Sequence, residues 1–372
     1  MHKALAVKKP AAHAALGLAL GLVFGLLLPM HSTLAQDASA ANPTLRERIK
    51  QRWQARQQAA VAPPAASTDG PTMDQPGDYT FTLEHGGLTR KYRVHVPRSY
   101  NAASPAPLLL AFHGGGGTMD LQASDESYGL SSKSETAGFV AIFPNGYSKL
   151  PSGKFATWNA GNCCGDARDR NVDDVGFVRK IIRDVSAQLH IDPTRIYATG
   201  MSNGAMMAYR LACEMPDTFA AIATVAGTDN TSQCAPKNPI SVLHIHAQND
   251  DRVLYNGGAG RKFGDVSKVT DFTSVPATVS KWVAQNSCST TPQRTLSTAG
   301  AYCDRYAGCQ GSSSVQVCVT DSGGHSWPGG HKAHGTEAPS QAISANDVMW
   351  AFFTSALGSG SSQREASSKI HP

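Results

Sequence analysis

Ser202 lies in the run Arg195-Ile-Tyr-Ala-Thr-Gly200-Met201-Ser202-Asn203-Gly204-Ala-Met-Met-Ala-Tyr209. A strand-like stretch precedes a Gly-x-Ser-x-Gly, and an amphipathic helical stretch follows it. In that setting the serine occupies a tight strand-to-helix turn, its hydroxyl raised above a sheet as a nucleophile. The two glycines are needed because side chains there would collide with strand and helix. The positive end of a helix beginning at Asn203 also favours negative charge developing nearby. Gly-x-Ser-x-Gly alone is a weak motif; with the strand before it and the helix behind it, the signal is strong.

A serine hydroxyl needs a base to take its proton and an acid to orient that base. In folds built around such a turn the chain order is Ser, acid, His. The apolar run Ser241 to Ile245 leads into His246-Ala-Gln-Asn-Asp250-Asp251. Asp250 is the expected acid, with Asp251 as the fallback. The run Val315 to Val319 leads into Asp321-Ser-Gly-Gly324-His325-Ser-Trp327. A histidine on that Gly-flanked loop can reach back over the sheet edge, so His325 is the expected base. His331 and His334 lie farther from the strand end. Two backbone N–H groups should bind the oxyanion. One is that of Asn203; the other comes from the loop His113-Gly-Gly-Gly-Gly117, with Gly115 the expected donor and Gly116 in reserve. Trp158 and Trp327 are expected to wall an acyl or aromatic pocket.

The flanking sequence supplies elements that would position these groups. Tyr79 to Leu83 and Arg90 to Val96 alternate around Gly86-Gly87, a hairpin. Pro107 to Phe112 is continuously apolar, as buried parallel strands are. Phe139 to Phe143, Arg195 to Thr199, Ala221 to Ala226, Ser241 to Ile245 and Val315 to Val319 are further strands. Helical stretches at Val175 to Leu189, Ala205 to Glu214, Val275 to Gln285 and Ala345 to Ala356 lie between or after them. The order implies an α/β fold with a mainly parallel, doubly wound sheet behind an N-terminal antiparallel hairpin.

The ends of the chain read differently. Lys3, Lys8 and Lys9, the apolar stretch Ala14 to Leu28 and Thr33-Leu34-Ala35 make a signal peptide over 1–35, so a secreted or periplasmic protein is expected. Residues 36–77 hold a short basic helix at Leu45 to Ala59 and a Pro/Ala-rich linker; 78–357 form the catalytic domain, and 358–372 a Ser/Gly-rich flexible tail. The formal net charge is +5, and without the three lysines of the leader it falls to +2, which argues against a nucleic-acid surface. No span crosses a membrane in the mature chain, and nothing specifies an oligomeric state. Eight cysteines suit an oxidising compartment. Local pairing gives Cys213–Cys234, Cys288–Cys303 and Cys309–Cys318; Cys163 and Cys164 either bond each other or go elsewhere.

Neither His244 with His246 nor His325 with His331 and His334 has a carboxylate or cysteine at metal-ligand spacing. Asp166, Asp169, Asp173 and Asp174 lack the spacing of a calcium loop, and Asp173 or Asp174 suits a helix N-cap better. No metal and no cofactor is expected.

Taken together, Leu109-Leu-Ala-Phe-His-Gly-Gly115, Trp158-Asn-Ala-Gly-Asn-Cys-Cys-Gly165, Asn171-Val-Asp-Asp-Val-Gly176, Gly200 to Cys213 and Gly323-Gly-His-Ser-Trp-Pro-Gly-Gly330 resemble the secreted polyhydroxybutyrate depolymerase-like esterases. That family of α/β-hydrolases includes feruloyl and acetylxylan esterases. The likeness runs from Tyr79 to Phe353 and implies Ser202, Asp250 and His325 as the triad. Relatives tend to read His-Gly-Thr-x-Asp where this chain has His246-Ala-Gln-Asn-Asp250, which keeps the acid and changes its loop. The resemblance implies a serine esterase acting on polyester or on feruloyl or acetyl polysaccharide esters. The competing readings are a binding or adhesion protein on the same fold, and a serine peptidase. Keeping nucleophile, acid and base together argues for an enzyme.

Overall fold

The computed structural model describes Glu47 and residues 71–260, 271–331 and 337–355. The expected signal peptide, the basic helix apart from Glu47, most of the linker, His334 and the tail lie outside the described residues. The chain divides into two units, Met1–Ala65 and Ala66–Pro372, and the second contains the sheet.

Among the described residues, ten strands form one sheet, in the order β1-β2-β4-β3-β5-β6-β7-β10-β9-β8. The hairpin is β1 (Gly77–His85) and β2 (Leu88–Val96); β3 (Ala106–Phe112) and β4 (Val140–Pro144) follow. Next come β5 (Ile191–Met201), β6 (Ala221–Val225) and β7 (Ser241–Ala247). The last three are β8 (Gln293–Thr298), β9 (Ala301–Tyr306) and β10 (Val315–Thr320). From β4 to β10 through β3, β5, β6 and β7 every pairing is parallel; the pairings outside that block are antiparallel. An antiparallel hairpin, β8–β9, was not expected and closes the far edge. Its outer strand is almost wholly exposed, so its sequence carries little apolar alternation.

The helices packed around the sheet, among the described residues, are α1 (Met119–Ala123), α2 (Leu130–Ala137), α3 (Gly165–Asp169), α4 (Asp174–Ser186), α5 (Asn203–Glu214), α6 (Val275–Gln285) and α7 (residues 345–355). Side chains alternate across each strand. Leu108, Leu110 and Phe112 of β3 therefore join one core with Phe177, Met206 and Trp282, from α4, α5 and α6. Leu109 and Ala111 join the other with Leu130 of α2 and Met349 and Phe353 of α7. Helices cover both faces, as the strand–helix alternation requires. Asp173 caps α4 by accepting from the Gly176 N–H at 2.8 Å. Asp174 is instead buried, where it accepts from Arg90 at 2.7 Å and from the Asn159 N–H at 2.8 Å.

Two sequence readings are corrected. Met73 lies in the stretch read as linker, but it is buried in the core and its N–H donates to Gln188 at 3.1 Å. The disulfides are Cys163–Cys164, Cys213–Cys234, Cys288–Cys309 and Cys303–Cys318, so the expected Cys288–Cys303 and Cys309–Cys318 pairs are wrong. The unforeseen hairpin is the reason. In the β9–β10 register Cys303 stands directly opposite Cys318, and Cys288 and Cys309 meet at the open end of the hairpin.

Candidate active site

Strand β5 ends at Met201 and α5 begins at Asn203, leaving Ser202 alone in the turn with φ 55° and ψ −121°. For a residue with a side chain that backbone is strained, at a cost of about 1–3 kcal/mol, and it persists only because its surroundings impose it. Those surroundings are steric. A Cβ on Gly200 would lie 2.5 Å from the Gly204 carbonyl, and one on Gly204 would lie 2.1 Å from the Phe112 oxygen. A third glycine, Gly227, is equally confined, since its Cβ would lie 2.3 Å from the Ser202 oxygen. The Ser202 N–H donates to the Val225 oxygen at 2.9 Å, fixing the turn to β6.

Because β7 and β10 are parallel neighbours, the loops leaving their C-terminal ends emerge side by side. His325 Nδ1 lies 2.9 Å and 3.1 Å from the two Asp250 carboxylate oxygens, and both residues are buried. Asp250 Oδ1 also accepts the N–H groups of Arg252 at 2.8 Å and Val253 at 3.0 Å. Burial works against the Asp250 charge, but hydrogen bonds from His246 and His325 outweigh it and hold the carboxyl below its ordinary range. The His325 loop is fastened by the Gly324 N–H, which donates to Asn249 Oδ1 at 3.0 Å. His331 is exposed and lines no part of the cavity described next.

Ser202 and His325 line one cavity of about 430 Å³, together with Gly114 to Gly117 and Asn203. Leu121, Tyr128, Met206 and Phe272 make much of its wall apolar, and Arg168 and Arg252 add positive charge. The Gly116 N–H is committed to the Ala156 oxygen at 2.8 Å, and the Gly117 N–H to the Gly114 oxygen at 2.9 Å. The N–H of Gly116, the reserve donor, is thus already occupied, whereas Gly115 and Asn203 both line the cavity. A first-turn N–H such as that of Asn203 has no intrahelical acceptor. Its side chain is occupied: Oδ1 accepts the Trp158 N–H at 2.7 Å and Nδ2 donates to the Trp158 oxygen at 3.1 Å.

Neither tryptophan lines the cavity, which corrects their expected role as pocket walls. Trp158 is fully buried, with its indole N–H donating to the His113 oxygen at 2.9 Å. Trp327 is buried edge-on against Tyr128, and its N–H donates to Asn346 at 3.1 Å. Each braces a loop of the site from behind. Beside a motif, an inward and an outward tryptophan look the same in sequence. Sequence reasoning also missed Tyr128, Arg168 and Cys164 on the cavity wall. His113 is a further brace, for its Nδ1–H donates to the Gly114 oxygen at 2.8 Å and its Nε2 accepts the Gly146 N–H at 2.9 Å. Burial pushes its imidazole down to about 4, so near neutral pH it acts as an uncharged strut. Among the described residues, Cys213, Asp229 and Cys234 cluster at metal-ligand spacing, but both sulfurs are used in a disulfide.

The sequence profile of the family described as "Esterase PHB depolymerase" matches residues 91–259, which include the turn at Ser202 and Asp250. That stretch carries the family's sequence pattern, and curated feruloyl esterases are similar to the chain. It is 30% identical over 241 residues to feruloyl esterase B of Piromyces equi, covering 63% of this chain and 42% of that protein. With feruloyl esterase D of Neurospora crassa it shares 26% identity over 278 residues, covering 72% and 83% of the two chains. The chain spans 42 to 58% of the length of the first curated relatives it matches. Among solved structures, the acetyl xylan esterase from Aspergillus awamori superposes with a TM-score of 0.50 at 15% identity, over 73% of this chain and 99% of that one. That likeness supports the α/β-hydrolase fold.

Proposed function

We propose that this protein is an exported serine esterase in which Ser202 attacks a carboxylic ester, His325 takes its proton, and Asp250 orients and stabilises the resulting imidazolium. The N–H groups of Asn203 and Gly115 receive the oxyanion, and water then hydrolyses the acyl-enzyme. The observation that carries this reading is the shared cavity: a strained serine and a histidine bonded to a buried carboxylate both line it. The relatives' printed names support the chemistry, since they are feruloyl esterases and an acetylxylan esterase/xylanase. A cavity of about 430 Å³ falls within the range that encloses small-molecule ligands. Its apolar side, built from Leu121, Tyr128 and Met206, suits an aromatic or short aliphatic acyl group.

The substrate is thus a feruloyl or acetyl ester of a polysaccharide, or an aliphatic polyester. Export is supported by the leader-like N-terminus and by four disulfides. Parallel hydrolysis of p-nitrophenyl acyl esters, methyl ferulate and polyhydroxybutyrate particles tests the reading, with Ser202→Ala as control. Turnover of at least one substrate by the wild type, lost in the variant together with fluorophosphonate labelling, is the expected result. Labelling that persists in Ser202→Ala would overturn it.

A further inference from the structure

Behind Asp250 lies a run of buried groups that the proposed chemistry leaves unused. His246, on β7, has its Nε2 2.8 Å from the Val253 oxygen and 3.3 Å from Asp250 Oδ2. Its Nδ1 is 3.1 Å from His244 Nε2. His244 Nδ1 in turn lies 2.8 Å from the Tyr209 hydroxyl of α5 and 3.1 Å from Thr224 Oγ1 of β6. His246, His244, Tyr209 and Thr224 are all buried.

Elimination locates the protons. His246 Nε2 faces a carbonyl and a carboxylate, which only accept, so Nε2 carries a hydrogen. One proton then lies between His246 Nδ1 and His244 Nε2. Placed on His246, it would make that ring an enclosed cation, and burying charge is expensive. Placed on His244, it leaves both rings uncharged and His244 Nδ1 free to accept from Tyr209. The Thr224 hydroxyl, 3.2 Å from the Leu243 oxygen, donates there. Burial also drives the His244 imidazole well below its ordinary value, which keeps that ring neutral.

The geometry points to a one-directional hydrogen-bond chain, Tyr209 O–H to His244, His244 Nε2–H to His246, and His246 Nε2–H to Asp250 and the Val253 oxygen, in which His246 is a positioning residue for the acid. His246 holds Oδ2 from behind while the Arg252 and Val253 N–H groups hold Oδ1, which aims the carboxylate at His325. Among the described residues, His246 from β7 and His325 from the loop after β10 are titratable side chains that face Asp250. Of the charged groups near His325, Arg252 shares its cavity and Glu337 accepts from the Gly323 N–H of its loop. This inference rests on reading Asp250 and His325 as acid and base.

The test uses the full chain in three forms, wild type, His246→Leu and His246→Gln, assayed on p-nitrophenyl acetate across pH. His246→Leu should lower kcat by about ten- to a hundredfold with KM little changed, the scale of a misplaced catalytic group. Losing one donor leaves more negative charge facing the imidazolium, so the acid limb of kcat should move to higher pH. His246→Gln, whose amide can donate from the Nε2 position, should restore the limb. Nitrogen NMR of the wild-type imidazoles should find His244 and His246 both as uncharged Nε2–H tautomers over the active pH range. A His246 imidazolium in that spectrum would overturn the inference, whether or not the leucine variant folds. So would a folded leucine variant with wild-type kcat or an unmoved acid limb. Activity surviving in Ser202→Ala would overturn the underlying esterase reading instead, and the tautomers would still be readable.

Discussion

Ser202 and its two proposed partners are placed by opposite means. The serine turn is local: within Gly200–Gly204 two glycines admit the β3 carbonyl and the start of α5, and contacts under 3 Å would meet any larger residue. Asp250 and His325 stand 75 residues apart and meet only because β7 and β10 are neighbours in the sheet. Rungs continue past the strand ends, with the Gln248 N–H donating to the Thr320 oxygen at 2.8 Å and Gly324 to Asn249 at 3.0 Å. A turn whose nearest neighbours stand under 3 Å from a would-be Cβ fails all at once. A site made by strand pairing degrades as the pairing loosens.

The strongest way to break the comparison lies on the local side. Ser202→Ala should cost on the order of a millionfold in kcat while melting like the wild type, as removal of a triad nucleophile does. Gly204→Ala should yield no folded protein by circular dichroism, because the new Cβ would sit 2.1 Å from the Phe112 oxygen. Folded, active Gly204→Ala would show that the turn is not sterically set.

On the tertiary side the next largest effect is that of Asp250→Asn, expected near 10⁴-fold, since the serine and oxyanion donors remain. Asp251→Asn should change steady-state turnover far less, because the carboxylate bonded to His325 is that of Asp250. A larger loss in Asp251→Asn would move the acid one residue on.

The same division explains what the sequence alone makes legible. The serine turn, its helix and the apolar parallel strands are written in contiguous residues, and α6 was expected over the Val275–Gln285 it occupies. Asp250 and His325 were legible because each directly follows a recognisable strand. What escaped depends on contacts distant in sequence. The polar outer strand Gln293–Thr298 has almost no buried face, so its hairpin left no periodic trace, and two disulfides were misassigned with it. Adjacency to the motifs points Trp158 and Trp327 at the pocket, whereas their direction is set by His113 and Asn346.

Asp250 also links the site to acid stability. Its folded-state carboxyl is held below its unfolded value, which for an aspartate is near ~3.9. The stabilisation is therefore complete above that value and is lost as pH falls through the folded one. Asp250→Asn should flatten the pH dependence of urea unfolding midpoints below about pH 4, without changing its shape near neutrality. A variant whose midpoints track the wild type's through that acid range would show that the buried pair contributes no linkage.

The smallest expected change in rate, and the finest test of the local–tertiary contrast, comes from Cys303–Cys318. This bridge joins β9 to β10, the strand whose end carries the His325 loop, and it closes 15 residues. Cross-linking a loop of that length stabilises by about 3 kcal/mol, chiefly by restricting the unfolded chain. A Cys303→Ser/Cys318→Ser variant should therefore melt several degrees lower yet turn over substrate almost normally in the cold, because no sulfur takes part in the proposed chemistry. Hydrogen exchange separates the two halves of the site. Amides of β10, with their bonds to β9 and β7, should lose protection through sub-global opening of that edge. Amides at Ser202 and Met206, bonded to Val225 and Ser202, should keep protection up to global unfolding. Equal loss at both places would mean that the serine turn relies on the sheet edge as much as the acid–base pair does.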